Sequence, residues 1–150
     1  METLRYLESI NTAKPGSYFI LGDPIAQMRP RFGGGRVWNA QKAIQMTTQL
    51  ALQIQHQDKP LFSGPLHVDL KFIFTPAQRA KPAQKAKIYN TYHIFKPDTD
   101  NLIKFALDVA SSVLFHDDCI VASISATKSY GKEAITYITI TQLENHVSDK

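Results

Sequence analysis

The clearest pattern in the chain is a regular alternation of apolar and polar residues from position 66 to position 74. The apolar members of one parity are Leu66, Val68, Leu70, Phe72 and Phe74. A period of two predicts a β-strand with one buried face, and only Ile73 departs from it. A shorter aromatic and β-branched run at residues 17–21 is closed by Gly22 and Pro24, which predicts an earlier strand.

Two further stretches predict amphipathic helices, because their apolar residues recur every three or four positions. The first follows Asn39, which is suited to capping a helix, and ends at Lys59 and Pro60. Its expected inward residues are Ala43, Met46, Leu50, Ala51 and Ile54, and its expected water-facing residues are Gln41, Gln45, Gln49 and Gln53. The second begins at about Asn101 and should bury Leu102, Phe105, Ala106 and Val109. Two strands follow, at about 118–128 and 134–142, with a turn between them.

This order of elements, β-α-β-α-β-β, predicts a single-domain α/β (α+β) fold over residues 1–150. A helix between two strands favours parallel pairing, whereas the last two strands should form a hairpin. We therefore expect a mixed β-sheet with helices packed on it. Residues 1–16 are expected to form an N-terminal arm, 76–92 a basic loop and 143–150 a C-terminal tail.

Length, charge and cysteine content narrow the class of protein. The chain has 150 residues, with 17 lysines and arginines against 13 acids, a formal net charge of +4 and a pI near 9.2. This length suffices for one self-sufficient core. The single cysteine, Cys119, excludes a disulfide framework and a multi-cysteine zinc site. No apolar run is long enough to span a membrane, and Glu2 and Glu8 interrupt any signal peptide, so we expect a cytoplasmic protein.

Basic residues gather in two segments and predict contacts with a polyanion such as DNA. One segment surrounds the glycines at 33–35, and the other is a tandem hexapeptide at 76–87, PAQRAK followed by PAQKAK, which carries four cations and no acid. With the cation at 96, the candidates are Arg29, Arg31, Arg36, Arg79, Lys81, Lys85, Lys87 and Lys96. Solvated surface loops explain the same residues equally well, because basic clusters do not by themselves prove nucleic-acid binding.

Acidic residues stand inside this basic stretch. Asp98 and Asp100 follow Pro97, and because residues two apart in an extended chain project to the same side, we expect their carboxylates to converge. Asp100 is also placed to cap the helix that begins at Asn101, a role that would explain it without any chemistry. Lys104 should lie one turn along on the same helical face.

A third carboxylate, Asp118, should reach the same place. If residues 101–110 are helical they rise roughly 15 Å, and residues 113–118 in extended form can return about that distance. Three converging carboxylates are the hard oxygen ligands that suit Mg²⁺, with Mn²⁺ as a possible substitute. Lys104 beside them could neutralise a phosphorane or orient the attacking water. An acidic site among basic loops is typical of a metal-dependent nuclease.

The stretch from Lys96 to Asp118, KPDTDNLIKFALDVASSVLFHDD, resembles the core of the RusA family of Holliday-junction resolvases. It has an Asp-x-Asp-Asn-Leu-x-Lys motif, a following helix and a closing Asp-Asp pair, and the upstream GDP and RPR segments are similar to the start of many phage and prophage members. Where some members carry an arginine run before the first aspartate, this chain has only Lys96 and Pro97, so the hexapeptide repeat is the substitute DNA contact we expect.

This resemblance implies a Mg²⁺-dependent endodeoxyribonuclease of bacterial or phage origin that acts in DNA recombination and repair. The implied enzyme is a homodimer that nicks two opposing strands of a four-way DNA junction. The implied catalytic residues are Asp98, Asp100 and Asp118, which also bind the metal, and Lys104. Roles for His93 and Asp117 stay open.

Three other functions remain compatible with the sequence. One is a non-catalytic junction-binding protein of the same fold, which divalent-dependent DNA cutting would exclude. Another is a flap or fork nuclease, for which a monomer in the presence of a junction would argue. The third is a metal phosphotransferase or glycosyltransferase that uses Asp-x-Asp to hold a nucleotide diphosphate; the basic loops and the small size count against it.

Overall fold

The fold is seen in a computed structural model that describes residues 16–29, 31–38 and 41–144, with backbone only for residues 31, 32 and 36–38. Most of the expected N-terminal arm, the end of the C-terminal tail and the expected cap Asn39 lie outside the described residues. The strands are β1 Ser17–Leu21, β2 Arg31–Gly33, β3 Arg36–Trp38, β4 Leu66–Phe74, β5 Val121–Tyr130 and β6 Ile135–Gln142. The helices are α1 Lys42–Gln55, α2 Pro82–Ile88 and α3 Thr99–Ala110, with a 3-10 turn at Asp118–Ile120 before β5.

The main sheet has the strand order β1-β6-β4-β5, so the predicted mixed sheet is confirmed. β4 and β5, which are joined through α3, are parallel, and β6 is antiparallel to both β1 and β4. The predicted hairpin between the last two strands is wrong, because β4 lies between them. The connection crosses the end of β4, where the Gly131 N–H donates to the carbonyl of Phe74 at 2.8 Å. A Cβ at Gly131 would lie 2.6 Å from Ile73 Cγ2, so a larger residue there would force Ile73 or the turn to shift.

The core lies between the helices and one face of this sheet. Most of its largest fully buried side chains come from β4, α3 and the segment that follows α3, and α1 and β6 add one each: Leu66, Val68, Leu70, Phe72, Leu102, Val109, Leu114, Phe115, Leu52 and Ile138. The helical period of α3 and the alternation of β4 are therefore confirmed. Among the described residues, no helix is long and apolar enough to cross a membrane.

Helix α1 packs on a different face from the one its apolar period predicts. Thr48 and Leu52 are buried, whereas the expected inward residues Met46, Leu50 and Ile54 are exposed. The reason is hydrogen bonding, because the Gln55 amide bonds both the N–H and the carbonyl of Phe19 on the outer edge of β1, at 3.0 and 2.8 Å. Gln41, expected to face water, is buried and bonds the Met28 N–H and the Ala26 carbonyl. Polar edge groups, which cannot stay unpaired when buried, set the orientation.

The two basic segments contain more regular structure than expected. Half of the hexapeptide repeat forms α2, which begins at Pro82 and has no buried residue; the Lys81 N–H donates to the side chain of Gln84 at 3.1 Å. The glycine run is the turn of a short antiparallel ribbon of β2 and β3, and Gly34 and Gly35 adopt positive φ of 56° and 74°. Both segments lie outside the four-stranded main sheet.

Candidate active site and nucleic-acid interface

The two aspartates of the Asp-x-Asp motif stand at the start of α3. Asp98 is the N-cap residue, in extended backbone with φ −70° and ψ 143°, and Asp100 lies in the first turn. The helix therefore begins two residues earlier than expected, and the prediction that Asp100 is its cap is wrong. Neither aspartate makes a side-chain capping hydrogen bond to α3. Lys104, one turn after Asp100, is exposed on the same helix, which leaves these polar groups available to a ligand.

The segment before Asp98 is fastened to β5 by Lys128. The Lys128 ammonium donates to the carbonyl oxygens of Phe95 at 2.5 Å and of Pro97 at 2.6 Å. A main-chain bond adds to this attachment, because the His93 N–H donates to the Lys128 carbonyl at 3.0 Å. Bonds between an ammonium group and carbonyl oxygens are charge-assisted and strong. Lys128 thus fixes the main-chain carbonyl of the residue that directly precedes Asp98.

His93 supports the same segment by ring packing. Its imidazole stacks on Phe74 with ring centroids 4.3 Å apart and lies 4.9 Å from the ring of Tyr130. Burial, and then the positive charge of Lys128, lowers the pKa of His93, which favours the neutral ring. These contacts make His93 a packing residue of the segment that leads to Asp98.

Asp118 lies at the other end of α3. It precedes Val121, the first residue of β5, which pairs with the start of β4, whereas Asp98 adjoins the segment bonded to Lys128 near the end of β5. The strand from Val121 to Lys128 spans roughly 23 Å at about 3.3 Å per residue. The electrostatic neighbours of Asp118 agree, since they include Asp108 in the last turn of α3.

The expectation that Asp98, Asp100 and Asp118 converge within one chain is therefore wrong. In the part of the chain that the structure describes, no three His, Cys, Asp or Glu side chains are grouped so that they could hold a metal ion. The chain after α3 does not return in extended form. Instead it turns tightly at Ser112, which has a φ of 68° and whose N–H donates to the Phe115 carbonyl at 2.7 Å. One chain by itself does not fit a three-carboxylate Mg²⁺ site.

Asp117 and Asp118 form a hydrogen-bonded acidic pair at the 3-10 turn. The Asp117 carboxylate accepts from the Cys119 N–H at 3.0 Å, and this bond, followed by one from Asp118, lowers the pKa of Asp117. The hydrogen bond with Asp117, then burial and the charges of Asp117 and Asp108, raises the pKa of Asp118. Asp117 is thus the residue that caps the turn, and Asp118 presents an exposed carboxyl group with raised proton affinity.

The candidate DNA-binding cations lie near the Asp98 end of α3 and on the two basic segments. Lys96 is exposed, with its ammonium 3.6 Å from an Asp98 carboxylate oxygen. On and before α2, Arg79, Lys81 and Lys87 are exposed and Lys85 is half-buried. Arg29 is exposed, whereas the side chains of Arg31 and Arg36 lie outside the described structure.

Two features of this site escape the sequence reasoning. Lys128 is one, and its signal was its position, since it lies two and four residues after Ala126 and Ile124 on the face of β5 that pairs with the buried face of β4, where an apolar residue is expected. The other is a strongly exposed apolar strip, defined as Tyr92, Ile94 and Phe95, immediately before the motif. A group of exposed apolar residues bordered by charged side chains is a recognised sign of an interaction surface.

Comparison with known proteins bears directly on this arrangement. A family model described as "Endodeoxyribonuclease RusA" matches residues 22–141, which includes both basic segments, the Asp-x-Asp motif and the Asp117–Asp118 pair. The chain is also similar to an uncharacterized protein, YqaN, of Bacillus subtilis (strain 168), with 26% identity over 136 residues that cover 84% of this chain and 95% of the relative. Since the matched region covers most of the chain, the protein belongs to the RusA family of endodeoxyribonucleases, whose substrates are branched DNA junctions.

Proposed function

We propose that this protein is a Mg²⁺-dependent endonuclease that resolves four-way DNA junctions by paired, symmetric nicks. The observation that carries the proposal is the start of α3, where the carboxylates of Asp98 and Asp100 make no capping bond to the helix and lie beside the exposed cations Lys96 and Lys104. Family membership supplies the substrate class. Bacterial or phage DNA in the cytoplasm is the setting that such an activity requires.

The proposed metal ligands are Asp98, Asp100 and Asp118, drawn from two chains. Each chain offers the Asp-x-Asp pair at one end of α3 and Asp118 at the other. A twofold axis that sets two chains antiparallel brings the first end of one to the second end of its partner. The bound Mg²⁺, or Mn²⁺ in its place, would neutralise charge on the scissile phosphate and acidify a water molecule. The homodimer is then required for each site as well as for the paired nicks.

The free edge of β5 is the surface we propose for this pairing. In the described chain, β5 is the last strand of the sheet, and only its end near Ser129 is covered, by a bridge to Tyr92. An unpaired strand edge is a ready template for a second strand. Ala122 and Ile124 are exposed there and supply apolar area. The edge runs between the two acidic ends, so antiparallel pairing along it brings unlike ends together.

The remaining side chains take supporting roles in the proposal. Lys104, one helical turn from Asp100, neutralises charge that develops on the phosphate during cleavage. The exposed cations at 79–87 and 96, with those at 29, 31 and 36, bind the DNA backbone and steer the junction to the site. Positive charge around an acidic centre lets the enzyme hold a polyanion next to its own carboxylates.

The test is incubation of the purified protein with a synthetic four-way junction, with and without Mg²⁺, and with a linear duplex of the same arms as the control. The proposal expects two nicks at symmetric positions in the junction, dependent on Mg²⁺, and an intact duplex. Tight junction binding without any cutting, at any divalent ion tried, would favour the non-catalytic junction-binding alternative. Single nicks in flaps or forks, with the four-way junction left whole, would favour a flap-type nuclease.

A further inference from the structure

The apolar strip of Tyr92, Ile94 and Phe95 is exposed to an unusual degree. The exposed fractions of these side chains are 74%, 82% and 68%. Three large apolar residues within four positions would lower solubility without benefit if water were their only neighbour. The strip ends three residues before Asp98, so whatever covers it lies next to the proposed cutting site.

The backbone under this strip is held firmly. Two main-chain bonds join its first part to β5, from the Tyr130 N–H to the Thr91 carbonyl and from the His93 N–H to the Lys128 carbonyl, both at 3.0 Å. The Lys128 ammonium fixes the carbonyl of Phe95. The Phe95 ring makes an edge contact with His93, at 6.2 Å between centroids, and otherwise projects outward. A platform that is already ordered loses little conformational entropy on binding.

The charges around the strip are mostly positive. Lys87 precedes it and Lys96 follows it, both exposed, and Lys128 lies beneath it. A second copy of the chain laid strip to strip would bring these same cations together, and like charges in contact oppose association. A partner that combines negative charge with flat apolar faces fits better, and an unpaired nucleotide has both.

We propose that Phe95, with Ile94 beside it, stacks on a base left unpaired at the branch point of the DNA junction. The inference rests on the proposed function, since it concerns the substrate of that same site. A junction held in its open form exposes base faces at its centre that a continuous duplex keeps stacked, so the contact distinguishes branched from linear DNA. Lys96 and the neighbouring cations hold the phosphates on either side, and the scissile phosphate then lies within reach of Asp98.

The test compares junction and duplex affinity, measured by fluorescence anisotropy, for full-length proteins that all carry Asp100→Asn to prevent cutting. Adding Phe95→Ala should weaken junction binding roughly 5- to 140-fold, the loss expected for one stacked base, while duplex binding changes little. Phe95→Trp should keep the affinity, because it keeps an aromatic face. Tyr137→Ala, which removes an exposed aromatic ring from β6, is the matched control and should change neither affinity.

A junction with 2-aminopurine at the branch point gives an independent readout. Its fluorescence should change on binding the Asp100→Asn protein and should not change with Phe95→Ala added. An unaltered junction preference in Phe95→Ala overturns the inference, and if the wild type still cuts the junction, the proposed function stands. A Phe95→Ala protein that sediments as a monomer where the wild type is a dimer assigns the strip to a second copy and also overturns it. A wild type that does not prefer junction over duplex removes both proposals.

Discussion

Replacing Lys128 by methionine should loosen the segment that carries Asp98. The ammonium group makes two bonds to carbonyl oxygens, at 2.5 and 2.6 Å, and methionine preserves the apolar stem while removing both. Bonds of this charge-assisted type contribute about 1.5–3 kcal/mol each, and because Lys128 is only half-buried, water recovers part of the loss. We expect the free energy of unfolding to fall by about 1–3 kcal/mol. Cutting should fall about 100-fold, because a displacement of about 1 Å at a reacting group costs that much.

The assay is single-turnover cutting of a four-way junction across a range of Mg²⁺ concentrations, with urea unfolding of the same preparations. Lys128→Met should need more Mg²⁺ for half-maximal rate, and Lys128→Arg should recover much of the rate because guanidinium also donates to carbonyl oxygens. Lys132→Met is the control, since Lys132 is an exposed cation on the turn after β5. Wild-type cutting by a Lys128→Met protein that has lost stability would show that the lysine supports the fold alone, and would refute its role in positioning Asp98.

Three further outcomes follow from the structure. Burial lowers the pKa of His56, whose ring accepts a 2.6 Å hydrogen bond from the Tyr18 hydroxyl, so His56 of the unfolded chain binds a proton at a higher pH than His56 of the folded chain. Urea unfolding should therefore show the free energy of unfolding falling as the pH drops below about 6.5, and falling less in His56→Gln. Lys104→Ala should reduce the cutting rate far more than junction affinity, as single-turnover and anisotropy measurements would reveal; equal losses would make it a DNA contact. Neutralising Arg79, Lys81, Lys85 and Lys87 together should reduce the log–log salt slope of junction binding by up to about 3.6, and an unchanged slope would show that this segment does not touch DNA.

The local pattern of the sequence predicts most of the elements, because each depends on neighbouring residues. The alternation at 66–74 is the central strand, and Leu102, Phe105 and Val109 are the buried face of α3. The pairing of the last two strands is not a local property. β6 inserts between β1 and β4 because both of its neighbours offer backbone partners, and the short turn at Gly131 is long enough to cross the end of one strand.

The candidate site divides in the same way. Sequence spacing alone places the Asp-x-Asp motif at the start of α3 and Lys104 inside that helix, and the structure agrees. The position of Asp118 relative to Asp98 depended on the path of residues 111–117, which a tight turn at Ser112 redirects. The orientation of α1 depended on Gln55 and Gln41, whose amides bond backbone groups far away in the chain. Contacts of this kind leave no periodic signal in the sequence.

The measurement that tests the account most directly is complementation between two inactive variants. Asp100→Asn and Asp118→Asn proteins are each incubated with a four-way junction and Mg²⁺, and then mixed, with sedimentation to verify that mixed dimers form. If each site takes Asp100 from one chain and Asp118 from its partner, the mixed dimer has one intact site and one doubly altered site. We expect each variant alone to cut nothing and the mixture to make one nick per junction. A mixture as inactive as either variant, with mixed dimers present, would contradict it, because every site built within a single chain would then carry one substitution.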